Sequence, residues 1–166
     1  MIENFKYMKN TDVKLDRTDH GILSILMMDA KTPYAEISSQ LSVSTGTVHA
    51  RLKKMIDLGI INGTHLSVDY KRIGFDVIAF LGIYLEKSDL YSTVSSQLKK
   101  IPEVVSAHYT TGVYSIFAKV VCRDTDHLRS VLSNSIQSVK GIQRTETFIS
   151  LQESINRPLI IDNIKA

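Results

Sequence analysis

With 166 residues, 43% of them hydrophobic and 22% charged, the chain has enough apolar material for one ordinary domain or two small ones. A net charge of +3 excludes a strongly basic or acidic protein, so overall charge gives no argument for nucleic acid. The single cysteine, Cys122, excludes an internal disulfide, no apolar run approaches the ~20 residues of a spanning helix, and the N-terminus lacks the apolar core of a secretion signal; a cytoplasmic protein is expected.

The first third of the chain has helical periodicity. Asp16, with Asp19 three residues on, marks a helix start, and Ile22, Leu23 and Leu26 form its apolar stripe. Thr32-Pro33 reads as an N-cap followed by proline at the first helical position. Tyr34, Ile37 and Leu41 then carry a second helix, roughly Pro33–Leu41. After the break Ser42-Val43-Ser44, a third helix over roughly Thr45–Leu58 buries Val48, Leu52 and Met55 and stops at Gly59. Ser42 holds a turn position where glycine is often preferred.

Residues 64–76 are polar and read as a hinge containing a short strand. From Val77 the pattern becomes mixed. Val77–Leu85 is a strand, Leu90–Ile101 a helix, and Val104–Thr110 and Val113–Val121 are strands joined at Thr111-Gly112 by a tight hairpin. Leu128–Val139 is a helix and Ile142–Leu151 a last strand. The order β-α-β-β-α-β predicts an α+β, ferredoxin-like domain: a four-stranded antiparallel sheet with both helices on one face. The other face then needs cover, and Phe80, Gly82, Tyr84, Tyr109, Ile116 and Ala118 make part of it apolar, which predicts pairing with a second copy. The expected domains are 14–63, a hinge at 64–76, and 77–154.

Two short helices joined by a tight turn can place the second in a major groove. Between Ser44 and Lys54 there is no acidic residue. The face opposite Val48, Leu52 and Met55 carries Thr45, Gly46, Thr47, His49 and Lys53. Small residues there permit close approach, hydroxyls and His49 suit base edges, and Arg51, Lys53 and Lys54 suit phosphate. Ser44 caps the helix, whose first turn aims free N–H groups at an anion. A basic helix face is more often simply solvated, so this pattern has two readings.

In the second half, the Thr110-Thr111-Gly112 turn offers hydroxyls and an approachable backbone. Tyr114 adds an apolar wall with a polar tip, Glu146 between Thr145 and Thr147 offers an acceptor for ammonium or amide, and Gln137 sits on the second helix. Hairpin closure explains the same residues without a ligand. The histidines His20, His49, His65, His108 and His127 have no metal-ligand spacing with one another or with Cys122, which reads as a core thiol. No phosphate-cradling glycine loop is present. Neither metal, cofactor nor catalysis is expected.

The ordered series Leu15-Asp16-Arg17-Thr18-Asp19 with Ile22-Leu23, Val43-Ser44 through Val48 with Arg51-Leu52, and Leu58-Gly59-Ile60-Ile61 resembles the Lrp/AsnC, or feast/famine, family of regulators. The hairpin Tyr109-Thr110-Thr111-Gly112-Val113-Tyr114-Ser115-Ile116-Phe117 resembles the asparagine-responsive branch. So do Ile142-Gln143, Thr145-Glu146-Thr147 and Leu151-Gln152. Many relatives carry aspartate where this chain has Ser115. The resemblance implies a winged helix-turn-helix that binds double-stranded DNA, joined by a hinge strand to an ACT-like ligand-binding domain. It also implies dimers that assemble further, up to octamers, an amino-acid effector such as asparagine bound between neighbouring dimers, and no catalysis. Tyr109 and Ser115 join the effector candidates on this ground. A regulator answering another amino acid, or an ACT-like regulatory subunit of a metabolic enzyme, remains open.

Overall fold

The computed structural model describes residues 14–161. The described residues fold as two compact units, one comprising residues 14–66 with 156–161, the other Ser67–Ile155. The extension 1–13 lies outside the described residues.

The first unit is built on three helices: α1 (Arg17–Met28), α2 (Tyr34–Gln40) and α3 (Thr45–Asp57). Asp16 caps α1 through a reciprocal capping box. Its carboxylate accepts the N–H groups of Thr18 and Asp19, and Asp19 accepts the N–H of Asp16. Ile22, Ile37, Val48, Leu52 and Met55 are buried together as one core, so the stripes expected on α1, α2 and α3 do meet. The cap of α2 differs from expectation. Pro33 itself is the N-cap residue, and the Thr32 hydroxyl donates to the Asp29 carbonyl at 2.8 Å instead of capping. Ser42 has φ +54°, the left-handed conformation that a tight inter-helix turn demands and that favours glycine.

After α3, where a linker with a short strand was expected, residues 61–69 have no regular structure, and a 3-10 turn follows at Lys71–Ile73. The alternation Leu66, Val68, Tyr70 is strand-like. Among the described residues no strand pairs with this segment.

The second unit has β1 (Val77–Leu85), α4 (Tyr91–Leu98), β2 (Val104–Tyr109), β3 (Ile116–Cys122), α5 (Thr125–Ser130) and β4 (Ile142–Ile149). The sheet is antiparallel, in the order β2-β3-β1-β4, and both helices pack on one face. Helix α5 starts earlier than the apolar spacing indicated, because Asp124 caps it by accepting the His127 N–H at 2.7 Å. It continues as a π-helical stretch, Val131–Ile136, in which the Gln137 N–H reaches the Leu132 carbonyl at 2.9 Å. The wider turn lets Val131 and Ile136, five residues apart, both enter the core.

Register corrects the expected open face. Cross-strand partners share a face, and Ile83 pairs with Ile116 while Leu81 pairs with Ala118. Ile116 and Ala118 are therefore in the helix-side core, each 1% exposed. Tyr109 pairs with Ile116 and packs on Tyr91 of α4, ring centroids 4.3 Å apart, also on the helix side. The open face carries Phe80, Gly82 and Tyr84 of β1, Phe117, Lys119 and Val121 of β3, and Arg144, Glu146 and Phe148 of β4. The misplacement lies in the pairing of β3 with β1: the six-residue loop 110–115 keeps Tyr109 on the face of Ile116 and Ala118, and the pairing of Ile116 with Ile83 puts that whole face on the helix side.

Candidate functional site

Two places in the chain present chemistry to solvent. The first is α3. Its N-cap Ser44 accepts the Thr47 N–H at 3.1 Å, and the two hydroxyls lie 2.9 Å apart. The Thr45 hydroxyl is 3.2 Å from that of Ser38, which in turn donates to the Ala35 carbonyl, so α2 and α3 are pinned at their junction. Val48, Leu52 and Met55 face inward, while Thr45, Gly46, His49, Ala50, Lys53 and Lys54 are exposed and Thr47 is half-buried. A Cβ on Gly46 would meet nothing closer than Ser44 Oγ at 3.7 Å, so nothing in the fold requires glycine there; its smallness leaves room on the outer face. Lys53 and Lys54 form no ion pair among the described residues.

Arg51 does not join this face. Its Nη1 donates to the carboxylate of Asp16 and lies 3.1 Å from both carboxylate oxygens of Asp19, which is itself 1% exposed. The Asp19 N–H, then Arg51, hold the Asp16 carboxyl below the ordinary aspartate value, and the two carboxylates push the guanidinium up. The sequence also gave no hint of Tyr34, whose ring meets His49 edge-on with centroids 4.5 Å apart. Residues fifteen apart on different helices leave no periodic signal.

The second place is the loop 110–115 and the open sheet face beneath it. The Thr110 hydroxyl donates to the Tyr114 carbonyl at 2.6 Å, and the Ser115 N–H ties the loop to the Ile83 carbonyl at 3.0 Å. Thr111 and Gly112 stand exposed, with Gly112 at φ +132°. Tyr114 folds back across the sheet directly over Gly82, where an added Cβ would lie 2.4 Å from its ring. Its hydroxyl donates to Glu146 Oε2 at 2.7 Å, Tyr84 donates to Oε1 at 3.0 Å, and Arg144 Nη1 reaches Oε1 at 2.7 Å while stacking 3.6 Å over the Tyr84 ring.

This cluster sets its own protonation. The two phenols, aided by Arg144, hold the Glu146 carboxyl below the ordinary glutamate value. The Glu146 carboxylate and then burial raise Tyr114, and burial and then Glu146 raise Tyr84. Glu146 is thus already served by three donors of its own chain, and is not the free acceptor expected from sequence. Gln137 follows the helix layer, on the face opposite Glu146 and Tyr114, and no side-chain hydrogen bond links it to the loop. The candidates therefore divide: Tyr114, Ser115 and Glu146 come together, while Tyr109 and Gln137 lie on the helix side. Tyr84, Gly82 and Arg144 were missed. The signal available was a glycine between Phe80 and Tyr84 in mid-strand, which marks a close approach.

Other candidates are quiet. Burial, with lesser contributions from Glu103 and Asp124, pushes the Cys122 thiol up to about 11, so it is a core thiol, as expected. Among the described residues no group of His, Cys, Asp and Glu could hold a metal ion, and no helix is long and apolar enough to cross a membrane.

Comparison with known proteins agrees with this division. The model of the AsnC-type helix-turn-helix domain matches residues 15–56, and that of the Lrp/AsnC ligand binding domain matches residues 78–160. The chain is 47% identical to Regulatory protein AsnC of Escherichia coli (strain K12) over 145 residues, covering 87% of this chain and 95% of that protein. The solved structure of E. coli AsnC matches with TM-score 0.83 at 46% identity, over 89% of this chain and 99% of that one. A transcriptional regulator of Neisseria meningitidis, NMB0573, solved as its L-Met complex, shares the fold at TM-score 0.82 and 22% identity, covering 87% and 94%.

Proposed function

The chain belongs to the Lrp/AsnC family of transcriptional regulators, and from that premise we propose that it reads DNA with the outer face of α3 and answers to asparagine at the 110–115 loop. The chain is a DNA-binding regulator with an amino-acid-binding domain; the matching relatives are named as regulators, not as enzymes. What the reading adds is the residues and the effector.

The observation that carries it is the outer face of α3. Gly46, His49, Lys53 and Lys54 are solvent-facing with no acid between Ser44 and Lys54. Lys53 and Lys54 supply phosphate contacts, His49 and Thr47 base contacts, and Ser44 and Thr45 hold the helix start in place. On the effector side, Thr111, Gly112 and the Ser115 segment present backbone and hydroxyl groups that suit an α-carboxylate and α-ammonium. The open face, with Phe148 46% exposed among its aromatics, is the surface that a second copy covers, while Gln137 and Tyr109, on the helix side of the sheet, stand apart from it. Asparagine is favoured because the 47% identity to AsnC runs through the loop-bearing half. The Neisseria regulator of the same fold was solved with L-methionine, so methionine is the informed competitor.

The test is selection of duplexes from a random-sequence pool, with and without asparagine. A consensus that asparagine strengthens, weakens or alters supports the reading. Enrichment that asparagine leaves unchanged while methionine alters it moves the effector to methionine.

A further inference from the structure

We infer that Arg51, the one arginine of α3, is a positioning residue that locks the recognition helix to the capping box of α1 and so sets how α3 meets DNA. The inference rests on α3 as the DNA-reading helix. By composition Arg51 looked like a phosphate contact. The structure turns it inward, onto Asp16 and Asp19 together.

Three observations carry this. Asp19 is a carboxylate 1% exposed, and among the described residues its partners are Arg51 and the Asp16 N–H. Drawing Arg51 out to a phosphate would strand a buried charge, a larger loss than a solvent-screened contact returns. The joint is also the directional link between α1 and α3. The apolar core of Ile22, Val48 and Leu52 is tight but non-directional, so it resists separation more than rotation. Arg51 Nη1, held between the two carboxylates, fixes one point of α3 against the start of α1 and so resists rotation of the helix. Finally, Arg51 lies between His49 and Lys53, so a turn of α3 about its axis displaces both groups relative to the groove.

The experiment uses the full chain, a duplex that the wild-type protein selects from a random pool, and a random-sequence duplex of equal length. Asp16→Asn and Arg51→Lys are the principal variants. The first removes the more exposed partner; the second keeps the charge but is too short to place its donor where Nη1 lies between the two carboxylates. A variant that merely unfolds in part weakens both duplexes equally, so the ratio of the two affinities reports positioning and not stability. The expected result is a drop in that ratio of roughly tenfold for each variant, with the salt dependence of binding unchanged.

A phosphate contact predicts the opposite sign. Asp16→Asn would then free the arginine and tighten both duplexes, and Arg51→Ala would lower the salt slope by about one. Either result overturns the inference, as does an unchanged ratio in Arg51→Lys. A wild-type protein that enriches no sequence overturns the DNA-reading face of α3 and the inference with it. Wild-type enrichment with silent variants overturns the inference alone.

Discussion

A Cβ placed on Gly82 would sit 2.4 Å from the ring of Tyr114, in a strand paired on both sides. Gly82→Ala is therefore expected to lift Tyr114 off the sheet and cost about 1–3 kcal/mol, read as a lowered thermal midpoint. The same ring binds Glu146, and the shifts around that carboxylate have a defined sign. Its folded pKa lies below the ordinary 4.5, so its contribution is complete above that value and is lost as pH falls through the lower folded one. The two tyrosines are raised above 10.0, so theirs is complete below that pH and lost as pH rises through the raised values. Amide resonances of residues 110–115 should shift below pH 4.5 in the wild type, and Glu146→Gln should abolish that acid step. A loop that titrates alike in both would break the link between Glu146 and the loop.

At the scale of elements, α3 separates its tasks by face: core, joint to α1, and solvent. Lys53→Ala removes a cation from the solvent face only. It should weaken binding to all duplexes alike and reduce the slope of log affinity against log salt by about one, with folding stability within ~0.5 kcal/mol of wild type. A selective loss on one sequence would make Lys53 a base contact instead. Much of this layer was legible beforehand. The stripe Val48, Leu52, Met55 and the strand Val77–Leu85 follow from periodicity, because one buried face imposes a period on the residues that fill it. What was not legible depends on pairing across the chain. The side of Ile116 is decided by its register with Ile83, and the inward turn of Arg51 by acids 32 and 35 positions away. The face of Glu146 followed from alternation, but the donors that occupy it came from β1 and the loop, which alternation cannot pair.

At the scale of the whole molecule, each unit has its own core, and the segment 61–69 runs without regular structure, with Leu66 80% exposed. Limited chymotrypsin digestion should cut first at Leu66 or Tyr70 and release two fragments that each retain secondary structure. A first cut inside either core would contradict that division. The chain contains no tryptophan and seven tyrosines, so its near-ultraviolet emission belongs to phenols alone. Two of these, Tyr84 and Tyr114, donate to one ionised carboxylate, an arrangement that dims an excited phenol by drawing off its proton. The Glu146 cluster is thereby a native optical probe. Any ligand or second subunit that draws the carboxylate away should brighten the protein without a label.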